Sequence, residues 1–136
     1  MLEVKSPWNL KVLDKVAFNN ANDIEKIVTK AYKTATLKGL DFPVKDRISV
    51  LEKFAKNIRE NTNSLANLAA SEGGKPLLDS ITEVNRGAEG VDSAIEILKS
   101  DSGEVIPMSI NETSHERIAF TQKEPIGLVL AISAFN

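Results

Sequence analysis

The sequence predicts an α/β fold in which a layer of helices lies against a parallel sheet, and three patterns carry that prediction. Ile126, Leu128, Val129, Leu130 and Ile132 make a nearly continuous apolar run, the signature of a strand covered on both faces. Between residues 20 and 100, four segments repeat apolar residues at helical spacing, as helices with one buried face do. Two short stretches, at the N-terminus and at residues 117–123, alternate apolar and polar side chains in the manner of half-buried strands.

Size and composition bound what the chain does. Its 136 residues suit one domain with a modest core. An apolar fraction of 42% and a charged fraction of 26% are ordinary for a soluble globular protein. The net charge of −2 has both signs mixed along the chain, which argues against a general binder of nucleic acid or anionic membrane, since either needs a basic face. No apolar stretch approaches the roughly 20 residues of a membrane span. Residues 1–5 lack the apolar core of a signal peptide, and a cytoplasmic setting is expected. Cysteine is absent, which removes disulfides, thiolate metal ligands and a cysteine nucleophile from this chain. The single histidine, His115, sits in a polar run without converging partners and reads as a solvated loop residue.

The elements follow in order. Leu2 and Val4, a turn at Ser6-Pro7-Trp8-Asn9, and Val12, Leu13 and Val16 predict a β-hairpin over residues 1–19, with Trp8 packing against its turn. A helical layer is predicted over residues 20–100. Asn20 caps the first helix, whose apolar stripe is Ile24, Ile27, Val28, Ala31 and Ala35. The second starts near Pro43 and buries Ile48, Leu51, Phe54, Ala55 and Ile58. A third carries Leu65, Leu68 and Ala69 up to a stop at Gly73-Gly74. The fourth shows a narrow packing seam of Ile81, Val84, Ala88, Val91, Ile95 and Leu98. Gly87 and Gly90 each cost this helix about 1 kcal/mol relative to alanine, which predicts a close backbone approach there. Gly73-Gly74-Lys75-Pro76 reads as a helix-to-helix turn, because its spacing does not fit a phosphate-binding loop. Residues 116–124 form a strand, and residues 126–136 form the apolar strand and its polar tip.

These residues are similar, in order, to the N-terminal part of the aldehyde dehydrogenase superfamily. Ser6-Pro7-Trp8 with Val12 resembles the opening hairpin, and residues 20–35 the first helix. Glu72-Gly73-Gly74-Lys75-Pro76 followed by Glu83-Val84 resembles the family's Glu-x-Gly-Lys-Pro…Glu-Val signature. The most specific match is Lys123-Glu124-Pro125-Ile126-Gly127-Leu128-Val129 through Ile132-Ser133-Ala134-Phe135-Asn136, which resembles the first strand of the cofactor-binding sheet. The wording of that strand is closest in pattern to non-phosphorylating glyceraldehyde-3-phosphate dehydrogenases and lactaldehyde dehydrogenases.

The resemblance implies NAD- or NADP-dependent oxidation of a small hydroxylated or phosphorylated aldehyde to its acid, through a thiohemiacetal on a cysteine. Asn136 then falls on the amide that binds the aldehyde oxygen as it gains negative charge, a fixed neutral donor suited to that task. Ile132, Ser133, Ala134 and Phe135 fall on the segment lining the cofactor; Ala134 and Phe135 depart from the proline and tryptophan often found there. Arg86 falls on an arginine that holds substrate phosphate, for which a guanidinium is well shaped; read from its helix alone, it is a surface residue. Residues 116–124 resemble part of an oligomerisation arm, with an ordinary edge strand as the plain alternative. A homo-oligomer is implied, with no nucleic-acid, membrane or metal partner.

The family's nucleophilic cysteine and glutamate base are not among these residues, so the chain by itself is expected to be inactive and to represent the opening piece of a larger enzyme. The alternative is a stand-alone helical interaction or oligomerisation module without catalysis, whose apolar strand a partner covers.

Overall fold

The computed structural model describes residues 1–37 and 42–133. The chain opens with an antiparallel hairpin, β1 (Leu2–Lys5) and β2 (Val12–Val16), in register Leu2↔Val16, Glu3↔Lys15 and Val4↔Asp14, with an irregularity between Val4 and Lys5. Glu3 sits between two ammonium groups, each at 3.2 Å. Its hydrogen bonds to Lys15 and then Lys5 hold its carboxyl below the usual range. The hairpin loop closes through Leu10 N–H to Ser6 C=O and Ser6 N–H to Lys11 C=O, both 2.9 Å.

Four helices follow: α1 (Ala21–Ala35), α2 (Val44–Glu60), α3 (Thr62–Gly73) and α4 (Leu77–Ser100). The Asn20 side chain accepts from Asp23 N–H at 3.0 Å and starts α1. Pro43 and Pro76 stand immediately before α2 and α4, where a missing N–H costs nothing. α4 is the centre of the packed helices, with α2 and α3 against it. Ala88 and Ile95 on its predicted seam are buried against the core, with Ile81, Val84, Val91 and Leu98 partly covered. Ala55 of α2 and Ala66 of α3 are buried at the contacts, and so is Ser80, whose hydroxyl donates back to Pro76 C=O. Apart from Ile95 the buried side chains are small, which suits a close approach of helix axes. Arg59 of α2 also pairs with Asp92 of α4.

Beyond α4 the chain is mostly irregular. β3 (Val105–Ile106) and β4 (Ala119–Phe120) form a two-residue antiparallel ribbon, with a 3₁₀ turn (Glu112–Ser114) between them. Asn111 and Ser114 close a reciprocal capping box around that turn.

Several expectations need correction. Residues 126–132 form neither a helix nor a ladder-paired strand, and both pairings among the described residues are antiparallel. Ile126, Leu130 and Ile132 are more than four-fifths exposed. A parallel strand exists only beside neighbours that satisfy its backbone, and no strand among the described residues lies beside this one. Of the strand predicted over residues 116–124, only Ala119–Phe120 is paired, with Val105–Ile106. α3 turns Ala66 inward rather than Leu65 and Leu68, a small side chain at its contact with α4. Phe54 and Trp8 are exposed as well. α1 buries none of its residues. Among the described residues nothing stands within 4 Å of a Cβ placed on Gly87 or Gly90, so the close approach predicted there is not made by them.

Candidate functional site

The residues singled out by the sequence lie in two regions. The first is the junction between α3 and α4. Gly74 ends α3 in the left-handed region at φ 66°, donating its N–H to Ala70 C=O at 2.9 Å. The β1–β2 turn presses on it: a Cβ on Gly74 would stand 2.6 Å from Pro7 Cγ and 3.5 Å from Trp8 Nε1. Two motifs nearly seventy residues apart in the chain, Ser6-Pro7-Trp8 and Gly73-Gly74-Lys75-Pro76, are thus one structural unit. A groove of about 480 Å³ opens beside them, with Trp8, Lys11, Asn67, Ser71 and Lys75 among its walls.

From that turn Lys75 reaches to Glu83 on α4 and forms an ion pair. Arg86 stands three residues further along the same helix, exposed, and belongs to none of the ion pairs among the described residues. Lys75 was legible in the sequence only as part of a turn; its side-chain role shows once the turn and α4 are placed together. The Gly-Gly-Lys-Pro spacing before Glu83 was the available signal.

The second region is where the chain leaves the helices. Gly103, at φ 72°, packs so tightly against the Thr121 carbonyl that no Cβ fits. Thr121 N–H donates to Glu104 C=O at 2.8 Å, and Glu104 N–H donates to Thr121 Oγ1 at 2.9 Å. Lys123 then pairs with Asp101, just past the end of α4, at 2.6 Å. A cavity of about 700 Å³ lies between these residues, the start of α2 and the end of α4, and Glu124, Pro125 and Gly127 form one wall. These contacts tie down the root of the apolar segment.

Ile132 and Ser133 lie on that outer part and are exposed. No backbone hydrogen bond among the described residues engages positions 124–133. Ala134, Phe135 and Asn136 lie outside the described residues. Arg86, Ile132 and Ser133 do not share a wall in any of the cavities described here. His115 is exposed beside the 3₁₀ turn. Among the described residues no cluster of three or more histidine or acidic side chains is placed to hold a metal ion, and no helix is long and apolar enough to cross a membrane.

Comparison with known proteins places these features. Lactaldehyde dehydrogenase of Methanocaldococcus jannaschii is 32% identical over 136 residues, covering 99% of this chain and 28% of that protein. The 3-sulfolactaldehyde dehydrogenase of Priestia megaterium is 33% identical over 135 residues, with the same two coverages. Among solved structures, glyceraldehyde-3-phosphate dehydrogenase GapN of M. jannaschii, complexed with NADP, superposes with a TM-score of 0.81 at 28% identity. It covers 92% of this chain and 26% of that one. The chain thus has an aldehyde dehydrogenase-type α/β fold and spans 28% of the length of these curated relatives. The sequence model described as the aldehyde dehydrogenase family matches residues 1–136, end to end, and the chain belongs to that family.

Proposed function

We propose that this chain is the N-terminal part of an NAD- or NADP-dependent dehydrogenase that oxidises a small hydroxylated or phosphorylated aldehyde to its carboxylic acid. The observation that carries this reading is the family match along the whole chain, joined to relatives named for lactaldehyde, sulfolactaldehyde and glyceraldehyde 3-phosphate. All three are short 2-hydroxyaldehydes, and two bear a terminal phosphate or sulfonate.

The residues divide the work. Asn136 supplies an amide N–H to the aldehyde oxygen as it becomes negative, a donor whose cost of orientation is met before reaction. Arg86 offers a planar guanidinium that forms two parallel hydrogen bonds to a phosphate or sulfonate. Ile132, Ser133, Ala134 and Phe135 line the dinucleotide. The backbone of Ile132 and Ser133 fits that role because it is committed to no ladder among the described residues. The dinucleotide, when bound, accepts hydride from the substrate. Exposed Ile118, just before β4, and Phe120 within it suit a ribbon that pairs with another subunit of a homo-oligomer.

In the dehydrogenase containing this chain, Asn136→Ala should lower kcat by about 10²-fold, as for loss of one oxyanion donor; an unchanged rate removes Asn136 from the reaction. The chain alone should show no turnover and no measurable dinucleotide binding. Reading the coding DNA past the Asn136 codon separates this proposal from a non-catalytic module: an open frame that supplies a cysteine and a glutamate supports the enzyme, and an immediate stop supports the module.

A further inference from the structure

We propose that Lys75 is a positioning residue for Arg86: by occupying the Glu83 carboxylate, it leaves the Arg86 guanidinium uncompensated and available to the anionic end of the substrate. This rests on the reading of Arg86 as the anion contact and explains how that contact stays open. Glu83 and Arg86 are three residues apart on α4, the spacing at which helix side chains become neighbours. Glu83 also lies on the N-terminal side, the favourable order for an acid–base pair along a helix dipole. Left to itself, Glu83 would pair with Arg86.

The structure shows a different pairing. Glu83 is bound to Lys75, and Arg86 takes part in no ion pair among the described residues. The lysine is well placed to win. Its backbone is bracketed by the left-handed Gly74, which Pro7 presses upon, and by Pro76. Its side chain is 27% exposed, against 53% for Glu83, so it is the more enclosed partner and loses less freedom on pairing. Glu89 flanks Arg86 on the C-terminal side at the same spacing, in the less favourable order, and is not paired with it among the described residues. Lys75 therefore removes the stronger of two competitors for the guanidinium.

The test is steady-state kinetics of the dehydrogenase containing this chain, with glyceraldehyde 3-phosphate and with uncharged lactaldehyde. Exposed ion pairs are weak, so Lys75→Gln should raise KM for the phosphorylated aldehyde by about two- to fivefold. Its kcat and its KM for lactaldehyde should stay as in the parent, and Lys75→Arg should behave like the parent. In an Arg86→Met background, Lys75→Gln should add nothing. Glu83→Gln and the double variant K75Q/E83Q should share one KM, since no competitor is left to restrain; this pair serves even if Lys75→Gln alone does not fold. A Lys75 effect that persists without Arg86, or a KM difference between E83Q and K75Q/E83Q, would mean that the lysine acts through its own charge, and would overturn the proposal. If Arg86→Met raises KM for the phosphate substrate while Lys75→Gln does not, the proposal fails and the Arg86 contact stands. If Arg86→Met changes nothing, the Arg86 contact itself fails.

Discussion

Gly74 shows how much one missing Cβ can carry. Its φ of 66° lies where L side chains are strained, and Pro7 Cγ occupies the space a methyl group would need. Gly74→Ala should therefore lose stability twice: about 1–3 kcal/mol for the left-handed conformation, and more for pushing the β1–β2 turn away. Urea denaturation should show the full loss in Gly74→Ala and a smaller loss when Pro7→Ala is added, because the second change relieves only the contact. Equal losses would mean the turn does not bear on Gly74. The glycine itself was legible in the sequence as a helix stop. Its contact with Pro7 was not, because nothing in a local pattern links residues separated by three helices.

At the scale of elements, legibility followed how far each element depends on its immediate neighbours in sequence. The Asn20 cap, the proline starts of α2 and α4 and the seam of α4 were all readable, since each is set within one helix or by the helix that packs most. The inward face of α3 was misread because leucine outranks alanine in hydrophobicity, whereas a close helix contact selects for size. Residues 126–132 read as a strand from composition, but a strand is a property of a pair. α1 is the extreme case, amphipathic in sequence and without a buried residue. With no buried residue to anchor it, it depends mainly on capping and propensity. Asn20→Ala should cost it about 1 kcal/mol, and amide exchange over residues 21–35 should accelerate about fivefold in response. Unchanged exchange would show that α1 is held by contacts rather than by its cap.

For the whole chain, surface area decides between a self-sufficient unit and a dependent one. A folded monomer of 14.8 kDa exposes roughly 7,000 Å². This chain exposes 11,698 Å², with Ala55, Ala66, Ala88 and Ile95 its buried apolar residues among those described. The excess of roughly 4,700 Å² includes Ile24, Ile27 and Val28 of α1, Phe54 of α2, Ile118 and Phe120 around β4, and the run from Ile126 to Ile132. Isolated apolar side chains on a surface are ordinary, but large exposed apolar patches mark surfaces that another segment or partner covers. The purified chain should consequently bind an apolar dye such as ANS and sediment above its monomer mass. Joined to the rest of a dehydrogenase it should lose both properties, as α1 and residues 126–132 find the surfaces their sequences fit. A monomer that excludes the dye and unfolds in one cooperative transition would instead make the chain a module complete in itself. The same measurement thus bears on the proposed function, because residues 126–132 would line a dinucleotide with a fixed backbone only once neighbours in a sheet pair with them.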